Sequence, residues 1–110
     1  MIQFTTPIIP LIVDTDLTDC TVYVTFSQGR VSVTKEAEYT VDGETTTLNV
    51  SLTQEETGLF SATKMVQIQA NWLDEFGSRG ATEISYDFVF GNLLKRVLPD
   101  EPDEPDEVEE

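Results

Sequence analysis

Four stretches of the chain alternate apolar and polar residues with a period of two. They are Cys20-Val22-Val24-Phe26, Thr46-Leu48-Val50-Leu52, Val66-Ile68-Ala70-Trp72 and Ile84-Tyr86-Phe88-Phe90, interleaved mainly with Thr, Ser, Gln, Asn or Asp. Successive side chains of an extended strand point to opposite faces, so each stretch offers one apolar face to a core and one polar face to water. The pattern predicts an all-β fold, a small antiparallel β-sandwich of about seven strands. All four named apolar sets are expected to point inward.

The connections support that reading. Thr5–Val13 reads as a first strand; Pro7 and Pro10 lack the N–H a central ladder needs, which places it at a sheet edge or on a crossover between sheets. Gln28-Gly29-Arg30 and Asp42-Gly43 read as tight hairpin turns. Between them Val31–Ala37 forms a partner strand, and Glu38–Val41 is expected to prolong it past a bulge. Strands are expected over 45–52, 64–73 and 81–90, with 74–80 (DEFGSRG) the longest internal loop. Residues 53–58 break the alternation with Thr53-Gln54-Glu55-Glu56, a capping-box sequence, so one short helical turn is expected there, with Leu59 or Phe60 plugging the core.

The chain divides into a sandwich domain (1–90), a short final element or docking arm (91–98) and an acidic, Pro-rich tail (99–110). In the arm, Leu93, Leu94, Val97 and Leu98 would share one face of a helix that Pro99 stops. They follow the last strand and need not enter the sandwich, so they are candidate partner-binding residues. The tail carries eight carboxylates and one apolar residue, and this composition predicts disorder.

A formal net charge of −15 argues against sequence-independent binding of nucleic acid and against anionic lipid. There is no histidine, which removes the usual triads and common zinc sites, and no phosphate-binding glycine loop is present. The lone Cys20 is expected to be a structural thiol. No cofactor and no catalysis are expected. Met1–Val13 lacks the basic region of a secretory signal, so synthesis in a reducing cytoplasm is expected. Asp14, Asp16 and Asp19 could offer hard oxygen ligands to Ca²⁺, but read first as turn-forming residues. Phe76, beside Arg79 in the 74–80 loop, is the aromatic expected to be exposed. It is a further candidate partner-binding residue, and with Tyr39 it could serve a carbohydrate-binding or host-adhesion module, the alternative to an assembly role.

Taken in order, MIQFTTPIIPLIV, TVYVTFSQ, the Asp-Gly turn, LNVSLTQEETGLF, VQIQANWL and FGNLLKRVL resemble small structural-module proteins of phages and prophages of Gram-positive bacteria. The likeness spans nearly the whole chain except the acidic tail. It implies an immunoglobulin-like sandwich in a virion, in tail, baseplate or capsid, working by contacts with other virion proteins or with copies of itself. It implies no catalytic residues.

Overall fold

Two hairpins of the same design set the frame. Strands β2 (Thr21–Gln28) and β3 (Val31–Glu36) are joined by Gly29-Arg30, and β4 (Glu38–Asp42) and β5 (Thr45–Ser51) by Gly43-Glu44. Each two-residue loop puts its glycine at positive φ, 59° and 66°, where a side chain would be strained. The computed structural model describes residues 1–98; the expected disordered tail, 99–110, lies outside the described residues.

Strands β1 (Ile8–Val13), β5 and β4 form one antiparallel sheet in the order β1-β5-β4. The second sheet runs β3-β2-β6, where β6 is Met65–Leu73, and β7 (Arg79–Ala81) and β8 (Ser85–Phe88) pair end to end along the far side of β6. The orders β1-β5-β4 and β3-β2-β6-β7/β8 correspond to the B-E-D and C′-C-F-G strands of an immunoglobulin-type sandwich. The immunoglobulin-like β-sandwich expected from the sequence is therefore the fold, with eight strands because the expected 81–90 strand is split and Glu38–Asp42 is a strand of its own.

The first strand lies at an edge, as its prolines require. The Leu52 N–H donates to the Pro7 carbonyl (3.1 Å), so odd-numbered residues of β1 face β5. The N–H that Pro10 lacks would have pointed to the free edge, where nothing in the sheet is lost. One expectation fails here: Glu38–Val41 does not prolong β3. The Ala37 N–H still donates to the Val22 carbonyl (2.9 Å), but Glu38 already pairs with Asn49 in the other sheet. The chain turns the corner at a small buried residue.

Three of the four alternating stretches fill the core as expected: Val22, Val24 and Phe26; Leu48, Val50 and Leu52; Val66, Ile68 and Ala70. Thr46, fully buried, is satisfied by accepting from the Leu17 N–H (3.1 Å) and donating to the Thr15 carbonyl (2.7 Å). Helix α1 (Gln54–Gly58) connects β5 to β6 between the sheets. Its capping box is complete, with the Glu56 N–H on Thr53 Oγ1 (3.2 Å) and the Thr53 N–H on Glu56 Oε1 (2.8 Å). Phe60, not Leu59, plugs the core below it.

The fourth stretch is turned inside out. Ile84, Tyr86, Phe88 and Phe90 are exposed, and Val89 is the buried residue of this region. The reason lies in the pairing register. In β7, Ala81 opposes Asn71; in β8, Ser85 opposes Ile68. One extra residue has entered, so Glu83 and Ile84 together stand opposite Gln69, a β-bulge. Without it, Ile84 would oppose Ile68 and the even-numbered residues would face the core. A one-residue slip sends every following side chain to the other face.

Candidate protein-interaction face

The bulge is held by a defined set of hydrogen bonds. The Ala70 N–H donates to Thr82 Oγ1 (3.1 Å) in place of the Thr82 carbonyl, while the Thr82 N–H donates to the Ala70 carbonyl (2.9 Å). The displaced Thr82 carbonyl accepts from Gln69 Nε2 (2.9 Å). Every ladder group disturbed at Thr82 thus has a partner. That satisfaction makes the bulged register stable although it exposes aromatic rings.

Downstream, the N-terminal residues secure the free edge of β8. The Met1 ammonium donates to Asp87 Oδ2 (2.8 Å) and to the Phe88 carbonyl (2.7 Å). Phe90 donates its N–H to the Met1 carbonyl (2.8 Å) and accepts from the Gln3 N–H (3.0 Å), which forms a short parallel bridge. These bonds hold Phe88 and Phe90 edge to face with ring centroids 4.9 Å apart.

The exposed rings join a larger surface. On the outer side of the second sheet, β2 presents Thr21, Tyr23, Thr25 and Ser27, and β6 presents Met65, Gln67, Gln69, Asn71 and Leu73. Tyr86 stands opposite Gln67, Phe88 opposite Met65, and Ile84 lies over Thr25 and Gln69. None of these positions is charged, in a chain with 27 ionisable acidic and basic side chains. The charges on this face are at its margins: Glu36, the last residue of β3, and Arg79, the first of β7. An uncharged sheet face that carries several exposed large apolar side chains among neutral polar groups is a candidate contact face.

The residues singled out from the sequence lie elsewhere and apart. Phe76 is at the tip of the β6–β7 turn and 86% exposed. That turn is held by Asp74 Oδ1, which accepts from the Phe76 and Ser78 N–H groups (2.8 and 2.9 Å). Residues 91–98 leave from the opposite end of β6, about 30 Å away for a nine-residue strand at ~3.3 Å per residue. They form no helix. Leu94 is partly covered and Leu93 wholly exposed, while Val97 and Leu98 are partly exposed. The segment is tied back to α1 through the Leu98 N–H on Gln54 Oε1 (2.7 Å) and Gln54 Nε2 on the Leu98 carbonyl (2.9 Å). Thus Asn92 and Leu98 anchor to the body while Leu93 is left in solvent. Tyr39 is partly buried and donates its hydroxyl to the Cys20 carbonyl (2.8 Å), so it is a structural residue rather than a rim aromatic.

The Asp-rich loop makes a turn. Asp16 Oδ1 accepts from the Thr18 hydroxyl (2.5 Å) and N–H (2.9 Å), and those bonds hold its carboxyl below the usual carboxylate range. Among the described residues no three Asp, Glu or Cys side chains come together closely enough to hold a metal. The Cys20 thiol is pushed up, first by loss of hydration and then by the carboxylates of Asp74, Asp16, Asp19 and Glu75. A thiol so placed is a poor nucleophile. A groove of about 510 Å³ opens between β1 and the β7–β8 edge, floored by Leu11, Val13 and Trp72 and flanked by Asp14 and Glu83. Among the described residues no helix is long and apolar enough to cross a membrane.

The bulge and the outward turn of the β8 aromatics were missed by sequence reasoning. One signal was in the chain: Val89 is the one large apolar residue in the opposite phase of that strand, directly before Phe90 and Gly91. No protein-family model matches the chain, and neither the curated proteins nor the solved structures contain a significant match.

Proposed function

We propose that the chain is a non-enzymatic assembly subunit acting through protein–protein contacts, made in a bacterial cytoplasm and built into a phage or prophage particle. The observation that carries the assembly role is the uncharged outer face of β2, β6 and β8, onto which a bulge turns four large apolar side chains. Exposing them costs stability that an inward register would recover, and a partner surface that covers them offsets that cost. Aromatic rings, amides and hydroxyls on a rigid sheet are recognition groups, and a sheet holds them at fixed spacing. The particle itself is supported by the order of segments that resembles phage structural modules. The test is quantitative mass spectrometry of purified particles induced from a lysogen that encodes the chain. A fixed number of copies per particle is expected; absence from particles that are otherwise complete overturns the virion placement.

A second reading, a carbohydrate-binding or adhesion module, is favoured by one feature of the same face. Tyr23 and Tyr86 lie beside Asn71 and Gln67, the pairing of ring and amide that stacks on and hydrogen-bonds to sugars. Glycan binding that is lost in Tyr86→Ala and retained in Phe76→Ala would favour this reading over the first.

A further inference from the structure

We infer that the outer face of the β3-β2-β6-β7/β8 sheet is the contact surface for a second copy of this chain, in a two-fold dimer that stacks the two sheets face to face. This rests on the assembly reading and names its partner.

Charge selects the occupant. Each copy carries a net charge of −15, so two copies repel over most of their surfaces and approach favourably only where the contact is neutral. The outer faces of β2, β6 and β8 supply such an area. The two charges at its margins, Glu36 and Arg79, have opposite signs, and neither takes part in an ion pair among the described residues. Their positions fit a dimer. Glu36 stands beside Tyr23, which opposes Asn71, and Asn71 opposes Ala81; Arg79 is two pairs further along, opposite Leu73. Both charges therefore lie at the same end of the sheet, on opposite edges.

A two-fold axis parallel to the strands, between β2 and β6, keeps the ends together and exchanges the edges. It lays β3 of one copy over β7 and β8 of the other, and sets Glu36 opposite Arg79 of the second copy, twice. Tyr86 then meets the hydroxyl of Ser32, and Ile84 the hydroxyl and methyl groups of Thr34, which line the same face of β3. Stacked sheets with mean strand directions about 30° apart are an ordinary packing, which the sheet twist produces. Four strands at ~4.8 Å spacing and eight residues at ~3.3 Å give a projected face of roughly 500 Å² per copy. Twice that reaches the roughly 1,000 Å² that a specific interface needs.

The experiment is sedimentation velocity of the full chain over a concentration series, with Glu36→Lys, Arg79→Glu and the double exchange. All three changes are at exposed edge positions, and circular dichroism verifies folding. Wild type is expected to dimerise. Each single variant is expected to weaken dimerisation about tenfold, because two rim attractions become two repulsions, and the double variant to restore it. A wild type that stays monomeric, or a double variant no better than the singles, overturns the dimer. Photo-crosslinking from a benzoylphenylalanine at Gln67 in producing cells separates this failure from that of the assembly reading. A product of twice the 12.3 kDa chain mass supports the dimer. A product of any other mass overturns the dimer and leaves assembly with a different protein, and no product overturns both.

Discussion

Val89→Ala and Tyr86→Lys together decide whether the β8 strand faces the way the bulge dictates. Val89 is fully buried, and truncation removes two carbon groups worth about 0.8 kcal/mol each in transfer alone. Its neighbours are fixed by backbone bonds, the Val89 N–H to the Lys64 carbonyl (3.0 Å) and the Thr63 N–H to the Val89 carbonyl (2.8 Å). The site therefore collapses poorly, and the residual cavity brings the expected loss to about 2–3 kcal/mol. That corresponds to a fall of roughly 10–20 °C in Tm for a domain of this size. Tyr86 is 57% exposed, so a lysine there keeps its charge in water and is expected to cost less than about 1 kcal/mol. The assay is urea unfolding followed by Trp72 fluorescence at the lowest workable protein concentration, where self-association adds little by mass action. If β8 instead paired without the bulge, Tyr86 would be in the core and the lysine would bury a charge. A larger loss for Tyr86→Lys than for Val89→Ala refutes the bulged register.

Thr82→Val keeps side-chain volume but leaves the buried Ala70 N–H without its acceptor; a loss of about 1–3 kcal/mol is expected, with faster hydrogen exchange at that amide. Thr82→Ser, which retains the hydroxyl, should recover most of it. Glu56 provides a pH signature. Burial alone would raise its carboxyl, but bonds from the Thr53 N–H and from the Lys35 ammonium (3.0 Å) hold it below the usual value in the folded state. A depressed carboxyl contributes stability that is present above its unfolded pKa, about 4.3, and is lost as pH falls through the folded value. Urea midpoints should fall less between pH 7 and pH 3 in Glu56→Gln than in wild type; equal falls would refute the linkage. Gly80→Ala puts a methyl group 2.5 Å from the Trp72 ring, so ring displacement, a shifted emission spectrum and a loss of about 1–3 kcal/mol are expected. Unchanged emission and stability would show that the ring does not rest on Gly80.

Much of the architecture could be read from local chemistry because local chemistry caused it. Gly29 and Gly43 dictate where two hairpins turn, Pro10 dictates an edge, and Thr53 with Glu56 dictates where a helix begins, each through backbone geometry within a few residues. The alternation in β2, β5 and β6 was legible because those strands are central, and both neighbours hold them in one register. Arm and loop candidates were legible only as exposed apolar residues; whether Leu93 or Phe76 meets a partner depends on molecules outside the chain.

By itself, then, the sequence determined a two-layered β fold, its turns, its edge strand and most of its core, since these follow from period and backbone preference. Tertiary structure alone decided the face of β8 and the corner at Ala37. Both depend on long-range pairing: Thr82 and Gln69 against Ala70 admit one extra residue, and Asn49 captures Glu38 from the neighbouring sheet. Alternation states that two faces differ, but only the register of the partner strand assigns which one meets water.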